Sequence, residues 1–283
     1  MKVHTLAISL LLLCNSLAFS QTVAKPVPGA KGAQVLVGIV AGANYSWTSF
    51  GDRDYKDVFE VRPVFGYHFG AHTSFRVRKR FFLNTSLIYS TKGMTMKGKG
   101  DDFDGTNDLD YLKAKYNYID MPIIYTAYFK GSFGKSSFKY SIGAGPNISY
   151  WLGGKGTIEN TDTHEFSTGI VKYKIVFNKD PFTAGENEMV VEKPTRFQLG
   201  LNLTAGFLFE PVRDHQMTLT FRYELGHSYL SRESVGRFRD TYFEQPLQIR
   251  NQGFRISVAY LIDLKVEQRK KGKSTIKRSN RNR

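Results

Sequence analysis

Between Phe197 and Phe209 the chain alternates between two kinds of side chain. Odd positions hold Phe197, Leu199, Leu201, Leu203, Ala205, Phe207 and Phe209, and even positions hold Gln198, Gly200, Asn202, Thr204, Gly206 and Leu208. Successive side chains of a strand point to opposite faces. As a strand, this segment has one apolar face and one polar or very small face, with Leu208 the exception. As a helix it would scatter Phe and Leu around its whole circumference.

The same period recurs. Met217 to Tyr229 sets Met217, Leu219, Phe221, Tyr223, Leu225 and Tyr229 against Thr218, Thr220, Arg222, Glu224, Gly226 and Ser228. Phe138 to Leu152 opposes Phe138, Tyr140, Ile142, Ala144, Ile148, Tyr150 and Leu152 to Lys139, Ser141, Gly143, Gly145, Asn147 and Ser149. Phe65, Tyr67, Phe69 and Phe75 face away from Gly66, His68, Gly70 and His72, and weaker alternation marks 35–47, 81–91, 116–129 and 253–262. This makes about eight strands, each long enough for the roughly 9–11 residues that a tilted membrane strand needs.

Alternation alone also fits a soluble sandwich. Three further features favour a membrane barrel. The small or polar face is too rich in Gly, Ser, Thr and charge for a sandwich core. Aromatic residues gather near strand ends (Tyr45, Trp47, Tyr89, Tyr116, Tyr118, Tyr150, Trp151, Tyr229 and Tyr260), as interfacial girdles do. Connections also alternate in length: 48–60, 94–115, 153–195 and 231–252 are the longer ones, and 77–80, 130–137 and 211–215 are short. Outer-membrane barrels keep long outer loops and short periplasmic turns, so an even strand count predicts both termini in the periplasm. The expected fold is therefore all-β, an antiparallel up-and-down transmembrane β-barrel over 35–263. Pro63, Pro122 and Pro146 fall inside strand patterns and predict bulges or other local irregularities. The segment Ile170 to Phe177 alternates within the longest loop and predicts a hairpin extension.

The ends read differently. Lys2, the apolar run Leu6 to Leu13, and Ala18-Phe19-Ser20 have the layout of an export signal cleaved before Gln21. Residues 1–20 are thus expected to be a signal peptide and 21–34 a periplasmic linker. Cys14 is the only cysteine, and Leu13 before it is not the small residue a lipid-attachment site wants. The net charge is +15, and 264–283 carry nine bases against one acid, Glu267. That segment reads as a disordered basic tail, suited to anionic lipid or an acidic protein in the periplasm. Nucleic acid is not an expected partner of an exported chain.

Several stretches resemble the PorT-like outer-membrane β-barrel family of Bacteroidetes-type bacteria: Tyr89-Ser90-Thr91-Lys92-Gly93, Tyr116-Asn117-Tyr118-Ile119-Asp120-Met121-Pro122, Gly143-Ala144-Gly145-Pro146-Asn147-Ile148-Ser149-Tyr150, Gly226 after Tyr223, and Gly253 to Tyr260. The resemblance spans roughly 35–263. It implies the barrel fold far more than an activity: most such proteins have no assigned chemistry, and a few serve type IX protein secretion. The tail beyond Ile262 departs from the family pattern.

An eight-stranded barrel has room inside only for side chains. The pattern places Arg62, Arg76, Asp120, Lys139, Arg196, Arg222, Glu224 and Arg255 in the lumen, where they are expected to pair as a polar plug. Asp101, Asp102, Asp104, Asp108 and Asp110 cluster around Gly105, a weak calcium candidate. Setting Asp102 and Asp104 as third and fifth ligands of an EF-hand puts Gly100 first and Tyr111 last, so that pattern is not met. His68 and His72 share a face about 13 Å apart at strand rise, too far to chelate one metal. His164, His227 and Asp240 lie where a barrel hydrolase would hold catalytic groups, without a nucleophile–base spacing. No cofactor is expected. The leading expectation is a non-enzymatic structural or binding platform in contact with outer-membrane lipid and lipopolysaccharide. A secretion component, with envelope proteins as partners, comes second; an enzyme or small pore comes third.

Overall fold

The computed structural model describes residues 34–99, 109–133, 136–160, 169–212, 215–239 and 244–265. In chain order the elements are β1 (Gln34–Phe50), a one-turn helix α1 (Asp54–Val58), β2 (Phe59–Arg78), β3 (Phe81–Gly98), β4 (Leu109–Phe133), β5 (Ser136–Asn160), β6 (Ile170–Phe177), β7 (Glu188–Val191), β8 (Phe197–Val212), β9 (His215–Gly226), β10 (Val235–Phe238), β11 (Glu244–Pro246) and β12 (Ile249–Lys265).

Eight strands close into a ring in the order β1-β2-β3-β4-β5-β8-β9-β12, every neighbouring pair antiparallel. The seam runs from Gln34 opposite Lys265 to Phe50 opposite Ile249. The remaining strands add to the upper part of β5. β6 pairs antiparallel with it, β7 parallel with β6, then β10 and β11 follow. The 170–177 segment thus forms the hairpin extension that its alternation predicts. β4 and β5 have 25 residues each. Crossing the hydrocarbon takes about 9–11 residues. Their loop-side halves therefore stand beyond the bilayer and carry the added strands as a head.

The burial pattern is inverted relative to a water-soluble protein. Phe65 is 73% exposed, Ile39 71% and Phe197 70%, and Leu87, Ile142, Leu199, Phe254 and Ile256 join them in an outward apolar band. A monomer in water rarely exposes a contiguous patch above a few hundred Å². In a bilayer such a band faces lipid tails. Inside lie Asn44, Ser90, Asp120, Asn147, Ser149, Asn202, Arg222, Glu224 and Arg255, all buried.

Two bulges reset the inside–outside parity. Between the pairs Pro63–Met94 and His68–Ser90, four residues of β2 face three of β3. A one-residue slip moves every later side chain to the other face. Beyond this bulge Phe59 turns inward, while Glu60 and Arg62 turn out. The second bulge lies where Asn117 pairs with Gly153 but Tyr118 with Trp151, leaving Leu152 unopposed. Gly153 has φ +154°, a conformation L side chains rarely adopt. Pro63 meets the expectation of an irregularity. Pro122 and Pro146 do not: Pro122 pairs with Asn147 and Pro146 with Leu201 in unbroken register. A missing N–H there removes one ladder donor without displacing the strand.

The aromatic girdle also needs correction. Tyr45, Phe65, Tyr67 and Tyr260 are exposed on the outer wall, but Tyr116, Tyr118 and Trp151 are fully buried inside. They share the inward face of β4 and β5 with Asp120 and Ser149. There they join Met94, Leu112, Ile158, Met189, Leu247 and Ile249 in one core built by ring strands and head strands together. That core fills the loop-side mouth. At the turn-side end a smaller cluster of Leu36, Val40, Ile88, Ala259 and Leu261, with Phe82 against it, fills the lumen.

Candidate functional site in the barrel lumen

Between these two apolar clusters, four charged side chains form a closed ring. Lys92 projects inward from β3, Asp120 from β4, Glu224 from β9 and Arg255 from β12. Lys92 Nζ donates to Asp120 Oδ1 at 3.1 Å and to Glu224 Oε1 at 2.5 Å. Arg255 Nη2 donates to Asp120 Oδ2 at 2.6 Å and to Glu224 Oε2 at 2.5 Å. Each base touches both acids and each acid both bases. In the ring β3 and β4 are separated from β12 and β9 by β2 and β1 on one side and by β5 and β8 on the other. The four side chains therefore tie one wall of the barrel to the other.

The surroundings add further hydrogen bonds. Ser90 donates to Asp120 Oδ2 at 2.6 Å and Ser149 to Oδ1 at 2.5 Å. The ammonium of Lys92 lies 4.7 Å from the ring centroid of Tyr118, a cation–π contact. Tyr118 in turn accepts from Asn251 at 2.9 Å. Toward the turns, His68 bridges Asn44 at 2.5 Å and Ser257 at 2.8 Å. Burying four charges costs several kcal/mol per ion, offset only where partners are close and lone pairs filled. Here two bases meet two acids, so the ring is neutral, although the buried Nη1 of Arg255 has no hydrogen-bond partner.

The sequence pattern and the structure agree on only part of this site. Asp120, Glu224 and Arg255 come together in the ring. Arg222 is buried and lies opposite Arg255 in the β9–β12 ladder, outside the ring. Arg62 is not in the lumen: the β2 bulge turns it outward, where it is 58% exposed and bonds to Glu60 at 2.9 Å. Arg76 faces the right way but sits at the turn-side rim, donating to the Lys79 carbonyl at 3.2 Å. Lys139 likewise reaches the rim and pairs with Glu210 at 2.5 Å. Arg196 stands above the membrane end of β8, donating to the Trp151 carbonyl at 2.6 Å and stacking 4.3 Å from the Phe177 centroid. Lys92 was missed. Its signal is in the sequence, because Ser86, Ile88, Ser90 and Lys92 continue one alternation past Thr91, where the segment 81–91 ends.

Among the described residues no group of His, Cys, Asp and Glu could hold a metal ion. Asp101, Asp102, Asp104 and Asp108 of the calcium candidate lie outside the described residues, as do His164 and Asp240; Asp110 is exposed. The export-signal and basic-tail segments also lie outside them, apart from Leu264 and Lys265 at the end of β12. His68 and His72 bond separately, His72 to Ser86 at 2.7 Å. No helix among the described residues is long and apolar enough to cross a membrane; the crossing elements are strands.

An inverted exterior, a closed eight-stranded ring and a polar interior tied by buried ion pairs define a transmembrane barrel. The outer membrane protein beta-barrel domain model matches residues 19–230, and the chain belongs to that family. Its place is the outer membrane. Among solved structures it is similar to OprG from Pseudomonas aeruginosa, with 11% identity, 83% of this chain and 95% of that one covered, and a TM-score of 0.42. It is similar also to Neisserial surface protein A, with 10% identity, 81% and 97% coverage and a TM-score of 0.33. A third is the attachment invasion locus protein Ail of Yersinia pestis, with 10% identity, 80% and 98% coverage and a TM-score of 0.31. No curated protein matches the sequence.

Proposed function

We propose that this protein is a non-enzymatic binding platform: a rigid, plugged barrel that presents its head outside the cell. The observation that carries the reading is the Lys92–Asp120–Arg255–Glu224 ring, with an apolar cluster on each side of it. A solute passing through would have to break four charge-assisted contacts and then displace Tyr116, Tyr118 and Trp151. With transport disfavoured, the surface left to act is the head built on β4, β5 and β6. In this reading residues 1–20 are removed on export, both termini lie in the periplasm, and the basic 264–283 segment reaches toward periplasmic partners. The test is planar-bilayer recording of the purified protein. No stable conductance is expected; large, long-lived channels would overturn the plugged-platform reading.

A second reading rests on the motifs at 89–93, 116–122 and 143–150, which resemble PorT-like barrels. Under it, the platform is a component of a type IX-like secretion assembly. Crosslinking in intact envelopes separates the two, because a secretion component yields a defined complex with other envelope proteins.

A further inference from the structure

Five lysines occupy one face of the head in cross-strand register. Lys115 of β4 lies opposite Lys155 of β5, and Lys155 lies opposite Lys174 of β6. In the next row outward, Lys113 and Lys172 flank Thr157. Neighbouring strands are only about 4.8 Å apart. Like charges placed directly opposite one another destabilise a sheet. A three-lysine row with a three-residue row above it holding two more is therefore a cost that local folding does not explain.

Internal carboxylates relieve it only in part: Glu188 lies opposite Lys174 in the β6–β7 pair. Among the described residues none of the five lysines has an ion-pair partner. Glu188 also bonds to Lys179 at 2.5 Å and Glu186 to Arg239 at 3.3 Å, while Glu159 follows Lys155 and Thr157 on the same face one row further out. The five lysines border a concavity of about 860 Å³ that Glu186 and Glu188 also line, so bases outnumber acids there by five to two.

Position on the barrel identifies the occupant. Lys113 and Lys115 lie on the same outward face of β4 as Ile119 and Met121. Lys155 follows Leu152 on β5 after the Gly153 bulge, and Leu152 and Met121 belong to the exposed apolar band. Tyr150 and Phe197, with centroids 4.9 Å apart, mark the edge of that band. The lysines start within a few residues of it, at the level of the headgroups.

We propose that the Lys113–Lys115–Lys155–Lys172–Lys174 face binds the phosphate groups of an anionic glycolipid of the outer leaflet, whose acyl chains lie along the apolar band below. This deepens the platform reading and rests on the head facing outward. The occupant is a lipid because the basic rows are continuous with a lipid-facing surface; a soluble anion would gain nothing from that continuity.

The test uses the full chain in detergent micelles, titrated with bisphosphorylated lipid A, its dephosphorylated counterpart and inorganic phosphate. The phosphorylated lipid is expected to bind more than tenfold tighter than the dephosphorylated one, and added salt should weaken it. Lys115→Gln/Lys155→Gln/Lys174→Gln should weaken binding on the order of a hundredfold, since each surface lysine near an anionic headgroup contributes roughly a factor of five. The corresponding triple arginine variant should retain it. Unboiled gel migration checks that each variant stays folded. Equal binding of the two lipids, an unaffected glutamine variant, or displacement by equimolar inorganic phosphate would overturn the proposal. Orientation is read separately by Phe182→Cys, at a residue 89% exposed on the head. Labelling of intact cells by an impermeant maleimide supports the outward head, and lack of labelling overturns the platform reading without bearing on the lipid titration.

Discussion

Arg255 meets Asp120 across the lumen at 2.6 Å, although 135 residues separate them in the chain. The contact joins β12 to β4, strands that share no backbone ladder. Its partners Lys92 and Glu224 close the same circuit. The barrel is thus braced across its interior as well as around its wall.

Breaking that brace at one point leaves a buried charge without its counter-charge. Asp120→Asn or Arg255→Met is expected to cost about 3–5 kcal/mol. Urea unfolding in detergent micelles measures it. Joining the two changes should recover part of the loss, because the charges then disappear together. Arg62→Ala, removing a solvent-screened exposed pair, should leave the unfolding midpoint nearly unchanged.

The bulge at Gly153 carries a separate expectation. Its φ of +154° is open to glycine and strained for other residues. Gly153→Val should cost about 1–3 kcal/mol. The carbonyl of Gly153 also accepts from Trp151 Nε1 at 2.9 Å. A shift in tryptophan emission with unchanged heat-modifiable migration would locate the damage in the head. An unaltered emission spectrum would refute this.

Gln245 bridges two strands of the head core. It donates to the Tyr116 hydroxyl at 2.8 Å and accepts from that of Tyr173 at 3.0 Å. Tyr173→Phe leaves the buried amide oxygen unpaired and should cost about 1–3 kcal/mol. Faster amide exchange across 235–238 and 244–246, with protection of β1 and β12 retained, is the expected signature.

The same tyrosine gives the head a pH dependence. Burial holds the Tyr173 hydroxyl well above its ordinary value of 10.0. An unfolded head releases that proton near pH 10 while the folded head keeps it, so the unfolded form binds fewer protons there. Head stability is therefore full below about pH 10 and falls as pH rises further. Limited proteolysis of the head across that range checks the direction, and constant resistance would contradict it.

How much of this was legible in the sequence depended on where parity held. β8, β9 and β12 keep one register up to the shift between Phe209 and Val212 near the turn, and their polar faces announce Arg222, Glu224 and Arg255. On β2, Pro63 marks an irregularity in the sequence, but nothing in the sequence shows that the bulge turns Arg62 outward. Tyr116, Tyr118 and Trp151 look like girdle residues by type alone. Their shared face with Asp120 and Ser149 marks them as interior. The head was visible only as the alternation of 170–177, because its core depends on long-range pairings of short strands such as Val235–Phe238 that carry little periodicity. The lysine rows are invisible in the sequence, because no residue in them is unusual until β4, β5 and β6 are set in register.

The seam between β1 and β12 has one more consequence. The first strand of the ring finds its second neighbour only in the last, so every shorter chain has two raw edges in the middle of a bilayer. Neither lipid nor water there can satisfy the exposed amides and carbonyls. Closure is therefore the step that commits the molecule to the membrane. Until Ile249 to Lys265 zip against Phe50 to Gln34, the growing sheet needs a host to hold its open sides.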